Sequence, residues 1–161
     1  MATHIFSVLC KAAVIDRFSN GLTLFEVIEG FTVETSDRKE LDEAAATGKP
    51  LSAPDFRAVF VSLWRRDVDD VPEEPVFRVL VRAPSGKEFK TPEQTVDLVS
   101  ANGSRQLMHL EQFPLLGSGT YKFEVQLKRQ DNWESVGSYP VLVTISVADV
   151  ETARVLLATS G

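Results

Sequence analysis

The sequence is poor in the residues that most often carry chemistry. A single cysteine, Cys10, stands in 161 residues. No internal disulfide can form, which suits a reducing compartment. Only two histidines are present, His4 and His109, and neither CxxC nor HxxxH spacing occurs, so the common zinc arrangements are missing. There is no Gly-x-Ser-x-Gly elbow. Gly117-Ser118-Gly119 leads into a strand pattern, not a helix, and therefore makes no phosphate-cradling loop. Basic residues form no run: 17 Lys and Arg against 23 Asp and Glu leave a net charge of -6, a poor match for a nucleic-acid backbone. No apolar stretch is long enough to cross a bilayer. Ile5–Ile15 is interrupted by Lys11 and has no basic region before it, so it does not read as a secretory signal. These absences lead to an expectation of a cytoplasmic protein with no cofactor, no nucleic-acid partner and no membrane contact.

What is present is a globular balance, with 43% hydrophobic and 25% charged residues, enough to fill a core in one domain over residues 1–161. Strand signals dominate. In Tyr121–Arg129, Tyr121, Phe123, Val125 and Leu127 alternate with Lys122, Glu124, Gln126 and Lys128, the period of two expected of a strand with one dry face. Gln130-Asp131-Asn132 turns it into a partner, Trp133–Val147, with Val141, Val143, Ile145 and Val147 inward. Pro140 makes that partner an edge or breaks it there. His4–Asp16 places Phe6, Val8, Cys10, Ala12 and Val14 on one face. Asn20-Gly21 turns the chain into Leu22–Glu34, whose two apolar faces predict a central strand. Phe56–Arg66, Val76–Arg82 and Lys87–Lys90 follow. Thr95–Ser100 and Arg105–Glu111 are weaker strands joined at Ala101-Asn102-Gly103. Residues 37–46 predict a short helix in an insert spanning about 35–55, opened by Asp37 and Glu40 and stopped by Gly48 and Pro50. A tail over about 148–161 carries a second short helix capped by Asp149. The fold class expected is all-β, an immunoglobulin-like antiparallel sandwich of about eight or nine strands.

The segments FSVLCKAAVIDRFSNGLTLFEVIEGF, VRAPSGKEF, FPLLGSGTYKFEVQL and NWESVGSYPVLVTI, in that order, resemble a family of uncharacterised bacterial domains of unknown function. The resemblance covers roughly residues 5–147 and rests on pattern more than identity. It implies an N-terminal β-hairpin joined to an immunoglobulin-like half, and it brings no catalytic residues.

Candidate functional residues are few. Cys10 shares a face with apolar neighbours and reads as a small hydrophobe. Asp67, Asp69 and Asp70, with Glu73 and Glu74, form an acidic loop that offers hard oxygens for calcium, but without the spacing of a calcium loop. Trp64 reads as a core anchor. Trp133 and Tyr139 are candidate interaction aromatics, and His109 projects from its strand toward solvent or a partner. With no catalytic constellation, the first expectation is a non-catalytic module that binds a protein partner or a second copy through edge strands. The alternatives are a small-ligand or carbohydrate-binding sandwich using Trp133 and Tyr139, and an enzyme with an unfamiliar site near the acidic loop.

Overall fold

The computed structural model describes residues 2–35, 38–52, 56–66 and 71–147. Twelve strand segments and one helix are found among them, in the order β1 (Ala2–Ile15), β2 (Leu22–Val27), β3 (Gly30–Thr35), α1 (Arg38–Thr47), β4 (Leu51–Ser52), β5 (Ala58–Arg66), β6 (Val76–Arg82), β7 (Glu88–Lys90), β8 (Gln94–Thr95), β9 (Gly103–Leu110), β10 (Pro114–Leu115), β11 (Gly119–Arg129) and β12 (Asn132–Val147). They form an all-β, sandwich-like architecture. One sheet has the order β2-β1-β5-β9. The other has the order β3-β12-β11-β6-β7, with β8 also paired to β6, and β4 and β10 make a two-stranded ribbon.

Alternation builds the main core. Leu9 pairs with Phe60 and His4 with Trp64 across β1 and β5, and these side chains face the second sheet. Phe60 stacks on Phe123 at 5.5 Å, Trp64 meets Phe77 at 5.2 Å, and Phe113 meets Tyr121 at 4.9 Å. Phe60, Trp64, Phe77, Val79, Tyr121, Phe123, Val125, Val141 and Val143 are all buried. Ser62 is a buried polar group in this layer, and it accepts a 3.0 Å hydrogen bond from the Trp64 indole, which removes the penalty of leaving either unpaired. The Tyr121 hydroxyl accepts from the Leu116 amide at 2.7 Å and donates to the Gly117 carbonyl at 3.0 Å, pinning the loop that enters β11.

The two sheets draw together along one seam. The β12 ladder bulges between Gly137 and Ser135, and Gly137 meets the His4 ring so closely that a Cβ there would come within 2.5 Å of it. Pro140 lies just before the point, Leu142, where β3 begins to pair with the outer side of β12. The missing amide therefore falls where no ladder bond is needed, and β12 is neither an edge nor broken at Pro140 as the sequence suggested: it runs from Asn132 to Val147 between β3 and β11. Helix α1 ends as expected, with Gly48 at φ 65 just past its last residue, the left-handed stop that glycine accepts without strain.

Three further sequence expectations are corrected. His4–Asp16 does not present one apolar face throughout: Val8 and Cys10 are buried, but Phe6 and Val14 are exposed, and it is Ala13 that packs inward. Leu22–Glu34 is not one central strand. It divides at Ile28–Glu29 into β2, an edge of the first sheet, and β3, an edge of the second. Its two apolar faces reflect a chain that leaves one sheet for the other. Thr95–Ser100 does not form a hairpin with the strand after it. The Val96 and Leu98 amides bond the Pro75 and Glu73 carbonyls, which holds that segment beside the second sheet, while β9 joins the first. The proposed cap Asp37, the acidic residues Asp67, Asp69 and Asp70, and the C-terminal helix lie outside the described residues.

Candidate interaction surface

The outer face of the first sheet is not open. By alternation, the neighbours of Leu9 and Phe60 point away from the main core. They are Val8, Cys10, Val59 and Val61, all buried, and they form a second hydrophobic cluster with Ala13, Leu22, Leu24 and Leu107 packed against it. The cover is the chain's own β1–β2 hairpin. Strand β1 pairs with β5 only as far as Cys10, and with β2 from Cys10 to Ile15. Were the hairpin straight, its tip would lie about 30 Å or more beyond Phe6 at the usual rise per strand residue. Instead Asn20, at the tip, accepts a 2.8 Å hydrogen bond from Arg105, and Arg105 is in register with Leu63, the partner of Phe6. The hairpin must therefore double back over the sheet. The bend falls where β1 leaves β5, and Glu26 there sits at φ 50, a conformation that costs a non-glycine residue.

This folded-back arm, residues 11–26, has two apolar faces. Ala13, Leu22 and Leu24 turn down onto the sheet. Val14, Phe25 and Val27 turn out to water, 52%, 50% and 50% exposed, and Phe18 at the tip is fully exposed. The tip is well organised: the Asp16 carboxylate accepts from the Phe18 amide at 2.9 Å, the Ser19 amide at 2.6 Å and the Ser19 hydroxyl at 2.9 Å. The hydrogen bonds from Ser19 and Phe18 hold the Asp16 pKa below the usual carboxylate value. The same bonds fix the loop that carries Phe18 outward. The outer side of β2 has no described ladder partner. Its sequence, LTLFEV, lacks the lysine and proline that commonly blunt a sheet edge.

The residues singled out in the sequence do not meet at one place. Trp133 pairs with Lys128, and Tyr139 with Phe123. Those partners are five apart on β11, so the two aromatics lie on opposite faces of the second sheet. One face of the Trp133 ring is taken by the Arg78 guanidinium, 4.0 Å from its centroid. The Tyr139 hydroxyl donates to the Ile28 carbonyl at 3.1 Å, and burial pushes its pKa up. His109 is exposed on β9, beside Val59 in register, at the rim of a groove under the bend of the arm. Cys10 is buried beneath the arm, and burial raises its thiol pKa, as suits a cysteine packed as a small hydrophobe. Among the described residues no group of three His, Cys, Asp or Glu side chains converges as a metal site would require. No described helix is long and apolar enough to cross a membrane.

The sequence reading missed the arm's outward face. One signal for it was present: Phe18 stands alone among Asp16, Arg17, Ser19 and Asn20, an aromatic placed in a polar turn. No protein-family model matches the chain, and no curated protein is significantly similar to it.

Proposed function

We propose that this chain is a non-catalytic interaction module that docks through the outward face of its N-terminal arm, carried on an immunoglobulin-like body. One observation carries the proposal: Val14, Phe18, Phe25 and Val27 stand half or fully exposed on one small, ordered element beside an unpaired strand edge. Single exposed apolar side chains are ordinary, whereas several gathered on one element mark a binding surface. The immunoglobulin-like reading is supported by the order β12-β11-β6-β7, which follows the G-F-C-C′ order of a variable-type sheet, and by the Tyr121 hydroxyl bonded back to Leu116 and Gly117, as in a tyrosine corner. The lone, buried Cys10 suits a reducing cytoplasm, and the family resemblance suggests a bacterial source.

The test is a comparison in the source cell. Proteins cross-linked to the wild-type chain are identified beside those cross-linked to a Phe18→Ser/Phe25→Ser variant whose circular dichroism is unchanged. The module reading expects a reproducible partner that the variant loses. Equal recovery by both chains would remove the arm from the account.

A further inference from the structure

The arm is gripped lightly for an element that covers a whole cluster of buried side chains. Among the described residues, Ala13, Leu22 and Leu24 supply its partly buried apolar contacts, and Arg105 to Asn20 is the hydrogen bond at its tip. It is undercut at both ends. A groove of about 730 Å³ opens under the bend between Lys11, Ala13, Arg57 and His109. Another of about 410 Å³ opens under the tip between Ile5, Asn20, Leu63 and Arg105. At the bend itself Glu26 holds a left-handed conformation, and straightening the hairpin there would relieve it.

We propose that the arm is exchangeable between two copies of this chain, so that residues 11–26 of one copy lie on the outer sheet face of the other. The inference rests on the reading of the chain as an interaction module and names a second copy as the partner. The occupant is identified by the molecule itself. The stripe of Val8, Cys10, Val59, Val61 and Leu107 already fits Ala13, Leu22 and Leu24, and a second copy presents the same three side chains at the same spacing. Exchange therefore preserves every contact of the closed arm, which is what makes swapping of an identical element a low-cost route to a dimer.

Exchange also adds something the closed chain lacks. Val27 is paired with Cys10, and Phe25 with Ala12, so both flank the bend, and both are half exposed. In a two-fold exchanged pair the two bends pass beside one another. Phe25 and Val27 of each copy then meet their counterparts and leave water.

The single cysteine makes a direct test practical. One preparation carries Cys10→Ser with Asn20→Cys; the other carries Cys10→Ser with Arg105→Cys. They are mixed at high concentration, incubated, and treated with a short bis-maleimide. Arm exchange predicts a covalent heterodimer linked from position 20 to position 105, growing with incubation time and concentration. It also predicts a wild-type species of twice 17.8 kDa by light scattering. A dimer without the 20-to-105 link overturns exchange and leaves self-association standing. A strict monomer at the same concentration, with no heterodimer, also overturns it, and the recovery of a different partner from the cell then decides the module reading separately. If Cys10→Ser weakens the fold, Cys10→Ala serves as the background.

Discussion

On its inner face the four-stranded sheet sets Leu9, Phe60 and Trp64 against the aromatic and aliphatic side chains of a second sheet, while on its outer face it sets Val8, Cys10, Val59 and Val61 against three side chains of its own hairpin, with Leu107 and Tyr139 beside them. The inner layer joins elements far apart in sequence, holds most of the largest buried side chains, and continues through Phe113, Tyr121 and Phe123. The outer layer is thin and undercut at its ends. Apolar burial contributes in proportion to area, so the inner layer sets global stability. The outer layer is suited to opening by itself, as low-stability elements of folded proteins do. A sheet can thus be dry on both faces and still have one face that is replaceable.

Hollowing each layer in turn should separate them most widely. Phe60→Ala should cost about 3–5 kcal/mol of stability, as truncation of a fully buried aromatic does, read from the urea unfolding midpoint. A cost below about 0.5 kcal/mol, the range of a surface change, would mean that the inner layer is not the main support. Under the arm, Leu24→Ala removes a half-buried side chain and should cost about 1 kcal/mol. Because Cys10 lies beneath the arm, the same variant should be labelled faster by a thiol reagent in native conditions, by roughly fivefold if the whole cost falls on opening. Lost stability with an unchanged labelling rate would show that the arm does not open as a unit.

A change of pH separates the layers in another way. His4 packs edge-on against Trp64 at 5.1 Å in the inner layer, and burial lowers its pKa from the ordinary 6.5. The unfolded chain takes up a proton near that value and the folded chain resists it. The stability contributed is therefore complete above pH 6.5 and declines as pH falls through 6.5 toward the lower folded value. Unfolding midpoints at pH 7.5 and 5.5 should differ more for the wild type than for His4→Phe, and identical differences would dismiss the effect. The smallest expected change is at the tip. Phe18→Ser touches neither layer and should leave stability within about 0.5 kcal/mol, so any loss of partner recovery in that variant reads as loss of contact. A larger drop in the urea midpoint would show that Phe18 supports the arm.

The strands of the inner layer were legible because each obeys one period over its length. Tyr121, Phe123, Val125 and Leu127 alternate without interruption and are all buried. The hairpin was legible too, since Asn20 takes the positive φ that Asn-Gly invites. Its doubling back was not. The bend is made at Glu26, a residue with no preference for φ 50, and neither glycine nor proline punctuates Leu22–Ile28. The passage of β2 into β3 had one local mark, Gly30, where the chain comes too close to Leu142 for a side chain. Both faces of that stretch are apolar because one packs on the outer layer and the following strand packs on the inner one. The candidate surface escaped because its residues alternate with core residues. Nothing local distinguishes Phe25, which faces water, from Phe31, which meets Phe56 at 5.0 Å in the core. Trp133 and Tyr139 are close in sequence, and only the bulge at Val136 sends them to opposite sides.

The close approach of Gly137 to the His4 ring has a consequence for how this sequence can drift. A methyl group at position 137 collides with the imidazole, yet the space it needs is freed when position 4 shrinks. Position 137 is therefore free to grow only where position 4 shrinks, bulk on one side traded for bulk on the other. Divergent copies of the gene should keep the pair in register even where the surrounding letters have changed.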